Sequence, residues 1–367
     1  MKDVLCIAGP FPPPRHGVSA INEVMCALVV KEGFSVDCYN TAPTGLSRTL
    51  FSRMSRFPRV ALAILGIGRF AKKHPGAAIY CSLSSGYGLI GELLMIRAAR
   101  KGGCQIVLHH HSYRYLDCDQ RLMKLVVSAA GSGALHVVLS GGMEKALRMR
   151  YPGVVRSLVL SNVAFFGDVA PNTAARGSCK VVGFISNLSP SKGVWDVVEL
   201  AEHASKKGSA LTFRLAGPFQ NREIEKEFFK RTKDLKNISY LGPLYGEEKR
   251  QFFNEIDVLV FPTRYRNEAE PLVILEAMQA CCPVISFARG CIGEFIDTEC
   301  GLLIPKDDAF VPAALERLSL WEAAPEEHAH ARKAAYSKFL GARLRAEDAK
   351  KELIAILRLE RPTGASS

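Results

Sequence analysis

Short apolar runs of β type alternate with helical segments along the whole of this chain, and few architectures accept that alternation. In the first half the runs are VLCIAG (4–9), SVDCYN (35–40), AAIYCSL (77–83), QIVLHH (105–110), LHVVLS (135–140) and SLVLSN (157–162). A polar stretch rich in small and turn residues, GDVAPNTAARGS (Gly167 to Ser178), interrupts them. The pattern then restarts with KVVGFIS (180–186), LTFRLAG (211–217), ISYLG (238–242), DVLVFP (257–262), PVISFA (283–288) and GLLIP (301–305). Strand followed by helix, repeated, makes a parallel sheet covered by helices. Two such series give two domains, and 367 residues are enough for two cores. We therefore expect an α/β chain with a first Rossmann-like domain over 1–167, a linker over 168–178 and a second Rossmann-like domain over 179–340. A charged helix, RLRAEDAKKELIAILRLE (343–360), then packs back on the first domain within a last segment, 341–367, that ends in a loose tail.

Charge separates the two halves. Lys and Arg exceed Asp and Glu by eleven over residues 1–170 and by one over 171–367. Much of the excess lies in Leu46 to Gly76, where Arg48, Arg53, Arg56, Arg59, Arg69, Lys72 and Lys73 alternate with Leu50, Phe51, Phe57 and VALAILGIG (60–68). Such a surface suits anionic lipid or nucleic acid. No nucleic-acid motif accompanies it, so an anionic membrane surface is the expected partner; the bland alternative is a solvated helix face. The apolar run is far short of the ~20 residues of a membrane span, and the start of the chain has no signal-peptide pattern. Eleven cysteines without regular spacing fit a reducing compartment, so a cytoplasmic protein, peripheral on the membrane's inner face, is expected. No CxxC pair argues for structural zinc.

Several motifs fall at strand ends, where ligands of doubly wound sheets bind. GYGLIG (86–91) has the spacing of a dinucleotide fingerprint, but no acidic residue follows about 20 residues on to hold a ribose. Its glycines read as close helix–strand packing. GPFPPPRHGVSAINEVM (9–25) places Gly17 at the mouth of a helix, where backbone N–H groups can approach a phosphate or a sugar. In LHHHSY (108–113) strand alternation sends His109 and His111 to one side and His110 to the other. Without a neighbouring carboxylate or cysteine these make a poor metal site, and His111 reads as a hydrogen-bonding group. In GFISNLSPSKGVWDVV (183–198), Lys192 stands where a compact positive charge can meet a phosphate. In NEAEPLVILEA (267–277), Pro271 reads as the first residue of a helix, with Glu268 and Glu270 before it and Glu276 within it. A helix start aimed at a diphosphate stabilises its charge, and carboxylates accept hydrogen bonds from hydroxyls.

With these residues in place the chain resembles the retaining glycosyltransferases of the GT-B fold, glycosyltransferase family 4 (group 1). The resemblance rests on the proline-glycine loop at 9–18, the histidine ending the fourth run, VVLSGGMEKAL (137–147), Asn162, LSPSKG, NISYLGPL and above all EAEPLVILEAMQACCPVI (268–285). It implies two Rossmann-like βαβ domains facing each other across a cleft, and transfer of a hexose-type sugar with retention from a nucleotide-diphosphate sugar, UDP- or GDP-linked. It implies His111, Glu268 and Lys192 at the reacting centre, and donor contacts from Gly17, Asn187, Lys192, Glu268, Glu270, Pro271, Leu272 and Glu276. Arg15, His16 and Tyr113 fall to the acceptor. No cofactor and no metal are needed in that scheme, because Lys192 and the helix start do a cation's work. The basic first half adds a lipid-linked saccharide acceptor, as in bacterial surface polysaccharide assembly.

Three positions depart from the family pattern. Asn187 stands where an arginine is usual, which shifts work to Arg264, Arg266 or the helix start. Val18 replaces the second glycine of the first loop, and Cys281 replaces the glycine before Pro283. Two other readings remain open here: a nucleotide-sugar epimerase or hydrolase of the same fold, and an inactive nucleotide-sugar-binding subunit.

Overall fold

The computed structural model describes residues 3–43, 56–168 and 177–359. Arg48, Arg53, Leu50 and Phe51, most of the linker and the last residues of the tail lie outside them. Each of the twelve β-type runs forms a strand; three keep the expected bounds and the other nine are shifted or trimmed at the ends by one to three residues. The first six are β1 Val4–Gly9, β2 Ser35–Asn40, β3 Ala78–Leu83, β4 Gln105–His110, β5 Leu135–Val138 and β6 Arg156–Val159. The second six are β7 Val181–Ile185, β8 Thr212–Ala216, β9 Ile238–Tyr240, β10 Val258–Phe261, β11 Val284–Phe287 and β12 Gly301–Ile304.

All pairings within the two six-stranded sheets are parallel. The first sheet runs β2-β1-β3-β4-β5-β6 and the second β12-β11-β10-β7-β8-β9. Central strands read as unbroken apolar runs because helices cover both faces, and Leu5 to Ala8 and Val258 to Val260 are wholly buried. The strand order reverses beside the first strand of each sheet: between β1 and β3 in one, and between β7 and β10 in the other. Loops leaving the C-terminal ends of strands diverge at such points and open a crevice for ligands.

Contacts divide the chain into two units, Met1–Phe166 with Leu344–Ser367, and Gly167–Arg343. The expected terminal helix is longer than the sequence reading held. A single helix runs from Pro325 to Leu359, because its Ala, Glu, Lys and Arg content favours helix throughout and one interior glycine, Gly341, costs only about 1 kcal/mol. Its last part belongs to the first unit, where Leu353, Ile354 and Leu357 are buried. There Arg358 donates to the Glu32 carbonyl at 2.7 Å and to its carboxylate at 2.9 Å.

Of the glycines of GYGLIG, Gly91 packs helix on helix, which corrects the expectation of helix–strand contact there, whereas a Cβ on Gly88 would lie 2.1 Å from Ser84 Oγ, directly after β3. A Cβ on Gly91 would stand 2.8 Å from Val60 Cγ1, on the helix Arg56–Lys73. Cys281, in the position the family gives to glycine, holds φ +57 at the end of helix Leu272–Gln279. It is the one non-glycine residue with positive φ among those described, so the left-handed turn that ends the helix persists without glycine.

Gly217 bears on the crevice of the second sheet. Its φ is +120 and a Cβ there would lie 1.8 Å from the Ser186 carbonyl oxygen, so the loops after β7 and β8 touch through backbone. Gly217→Ala should destabilise the protein by at least ~2 kcal/mol in urea unfolding. Gly208→Ala, with φ +68 but open space around its Cβ, should lose only about 1–2 kcal/mol. Equal losses at the two positions would contradict the close approach.

Candidate functional site

In the second unit the loops that follow β7 and β10 meet at the strand-order reversal. A short turn, Pro190–Lys192, leads to Gly193 with φ +89. A Cβ on Gly193 would come within 2.4 Å of the Pro262 carbonyl oxygen, and Arg264 N donates to the Ser191 carbonyl at 2.9 Å. The two loops are therefore locked backbone to backbone, which aims Lys192 across the end of β10. Its ammonium forms a short ion pair with Glu268 Oε2 and stands 4.8 Å from the Tyr265 ring centroid and 5.4 Å from that of Phe261. Thr263 Oγ1 donates to the same Glu268 oxygen at 3.0 Å.

Glu268 is held from behind as well. The loop after β11 presses Gly290, φ +57, so near that a Cβ would lie 2.6 Å from the Glu268 carbonyl oxygen. Cys291 N donates to the Ala269 carbonyl at 2.8 Å, and Arg289 Nε donates to the Tyr265 carbonyl at 3.3 Å. Glu268 and Glu270 are both buried. Pro271 is the N-cap, with φ −69 and ψ 122, and Leu272 is the first helical residue. This moves the expected helix start by one position, since an extended ψ cannot belong to the first helical turn. Glu276, in the same helix, is gripped by Lys249 Nζ at 2.7 Å from Oε1 and 2.6 Å from Oε2.

The arginines proposed to make up for Asn187 have other partners or places. Arg264 makes a bidentate pair with Asp196 at 2.7 and 2.9 Å and stacks over Phe287 at 4.4 Å. Arg266 and Asn187 are exposed. Lys192 is thus the cation held against Glu268.

In the first unit the expected histidine alternation is observed. His109 bonds through Nδ1 to the Tyr80 hydroxyl, and its ring centroid lies 3.9 Å from that of His111. His110 points the other way, to Tyr115 Oη and His136 Nδ1, each at 2.9 Å. The Nε2 atoms of His109 and His111 are buried without a hydrogen-bond partner, an arrangement that suits a hydrogen-bonding ligand. Burial, with the nearby His16 charge, pushes His111 down to about 3, so it works as a neutral imidazole. Gly17 opens the helix Gly17–Lys31, and His16 caps it. His16 Nδ1 accepts from Ser19 N at 3.4 Å, and His16 N donates to Ser19 Oγ at 2.8 Å. That occupies one nitrogen of a residue expected only to face an acceptor. Arg15 pairs with Glu23 at 3.1 Å on the surface, and Tyr113 caps the short helix Arg114–Asp117. Among the described residues no group of three or more His, Cys, Asp or Glu is placed to hold a metal ion.

Thr263, Tyr265, Lys249 and Tyr80 escaped the sequence reading. Thr263 and Tyr265 had a signal, their place directly after an apolar strand. Lys249, in a charged helix, had none.

Residues 179–319 match the family model described as Glycosyl transferases group 1. A search of curated proteins finds no match. Among solved structures the chain is similar to TarM, with a TM-score of 0.65, 18% identity and coverage of 82% of this chain. It spans 58% of the TarM chain. It is also similar to Anabaena HepE in complex with UDP, at TM-score 0.70 and 16% identity over 96% of this chain and 100% of that one. Sucrose-phosphate synthase from Thermosynechococcus elongatus gives 0.69 and 16% over 97% and 100%. The two units are Rossmann-like, and the fold is GT-B.

The buried histidines make a pH dependence. Burial lowers His16, His109, His110, His111, His136 and His328, with His136 at about 4. The unfolded chain therefore binds protons below about 6.5 that the folded one refuses, and stability drops as pH is lowered, by up to about 1.4 kcal/mol per unit for each histidine. Glu92, raised to about 7 by burial, opposes this as a single group. Thermal melts should be level from pH 8 to 7 and should fall steeply between 6.5 and 5. A level profile to pH 5 would contradict neutral burial of these rings.

Proposed function

We propose that this chain is a retaining glycosyltransferase that moves a hexose-type sugar from a UDP- or GDP-linked donor to an acceptor hydroxyl. The observation that carries the reading is the meeting of Lys192, Glu268 and the start of helix Leu272–Gln279 inside the stretch that matches the group 1 model. The diphosphate lies against the Lys192 ammonium and the free N–H groups at the helix start, both of which gain interaction as charge grows on the leaving group. Glu268 accepts hydrogen bonds from hydroxyls of the transferred sugar, and Glu276 from the ribose. His111, neutral at working pH, hydrogen-bonds a polar group near the reacting centre. The departing phosphate oxygen takes the acceptor's proton, so attack occurs on the face the phosphate leaves and configuration is kept. No metal enters this scheme. The UDP held by HepE favours UDP as the first nucleotide to try.

The acceptor is a lipid-linked saccharide of a bacterial surface polysaccharide, used at the inner face of the cytoplasmic membrane. On the helix Arg56–Lys73, Phe57, Leu62 and Leu65 are exposed large apolar residues, and exposed Arg69, Lys72 and Lys73 follow them. Apolar side chains for the acyl boundary beside cations for phosphate headgroups suit a helix lying on anionic lipid. Among the described residues no helix is long and apolar enough to cross a membrane.

Three measurements test this reading. In a thermal-shift panel of UDP, GDP, ADP and CDP, one nucleotide should raise the melting temperature by several degrees with or without magnesium, and Lys192→Ala should abolish the shift. With the matching α-linked donor and an acceptor, proton NMR should show an α-linked product. No shift from any nucleotide, or a β-linked product, would overturn the reading. In co-sedimentation, anionic vesicles should capture the protein in preference to neutral ones, and Leu62→Ser with Leu65→Ser should remove the preference. Equal capture by both vesicle types would remove the membrane from the account.

A further inference from the structure

Lys249 and Glu276 both sit against the electrostatics of their own helices. Lys249 is the fourth residue of helix Gly246–Glu255, near the positive end of the helix dipole, where carboxylates such as Glu247 and Glu248 are favoured and a cation is not. Glu276 is the fifth of the eight residues of Leu272–Gln279, in the half where a carboxylate gains nothing from the dipole. Local choices that work against their own element mark positions selected for something else. The two side chains meet across the helices, with Lys249 Nζ at 2.7 and 2.6 Å from the two Glu276 oxygens, and both are only about a quarter exposed.

We propose that Lys249 is a positioning residue for the nucleotide's ribose, a role that rests on the donor reading given above. An ionised carboxylate offers about four acceptor directions. Lys249 donates to Oε1 and lies 2.6 Å from Oε2, which is buried without a hydrogen-bond partner, so the ion pair fixes the carboxylate plane and leaves Oε2 open to accept. The directions left over face the vicinal hydroxyls of a ribose, which a freely rotating glutamate would meet only after losing rotamer freedom. The pair therefore recognises a ribonucleoside diphosphate and discriminates against its 2′-deoxy form. Lys249 acts through Glu276 and touches no reacting atom.

The test titrates UDP and 2′-deoxy-UDP calorimetrically into wild type, Lys249→Met, Lys249→Arg, Glu276→Ala and Lys249→Met/Glu276→Ala, with melting temperatures recorded to confirm folding. Lys249→Met should weaken UDP about tenfold and 2′-deoxy-UDP clearly less, so that preference for the ribonucleotide shrinks. Lys249→Arg should keep most of that preference. The double variant should bind UDP no more weakly than Glu276→Ala alone, because the lysine has nothing left to position. An unchanged UDP to 2′-deoxy-UDP ratio in Lys249→Met, or losses that add in the double variant, would overturn the positioning role while leaving the donor site intact. If Glu276→Ala itself bound UDP like wild type, or neither UDP nor GDP, titrated in the same way, bound wild type, the ribose reading would fall and this inference with it.

Discussion

Everything in the second crevice depends on an ion pair between two loops, Lys192 on the loop after β7 and Glu268 on the loop after β10. Glu268 is buried, and a carboxylate taken from water needs a partner or it protonates. Lys192 and Thr263 supply that partner at one oxygen. Removing one member of such a pair is far more costly than removing both, so the lysine fixes the shape of the crevice as well as its charge. The geometry holds only because Gly193 lets the lysine loop touch the Pro262 backbone and Gly290 lets the next loop touch Glu268 from behind. Each contact would be closed to a residue with a side chain.

Arg264 is paired with Asp196, and Lys192 is the cation in direct contact with the Glu268 carboxylate. Tyr265 and Phe261 beside the ammonium keep it in place by cation–π attraction. In the first unit the polar groups at the strand ends follow another logic. His109, His110 and His136 are buried neutral rings and His111 is a half-buried one, tied to Tyr80, Tyr115 and one another, which suits recognition by hydrogen bonds and not by charge.

The strands and their parallel order were legible because a strand buried on both faces must be apolar along its length, as VLVF at 258–261 is. His109 and His111 could be assigned to one side because alternation leaves no other choice. The limits were local. Pro271 fits either the cap or the first turn, and only its ψ of 122 decides between them. The helix after Pro325 gave no stop signal, so its unbroken course was missed. Pairings across distant segments, Lys249 with Glu276 or Arg264 with Asp196, depend on how two elements dock, and no periodicity carries that information. Cys281 was marked by the resemblance alone, and the physical reason came with the structure: the place calls for positive φ, which Cys281 adopts at +57 without glycine.

The most direct measurement is a crystal structure of the protein with UDP bound. The account predicts the diphosphate within hydrogen-bonding distance of Lys192 Nζ and of the backbone N–H groups at Leu272 and Val273, with the ribose hydroxyls on Glu276. A nucleotide bound elsewhere, with the Lys192–Glu268 pair untouched, would contradict it.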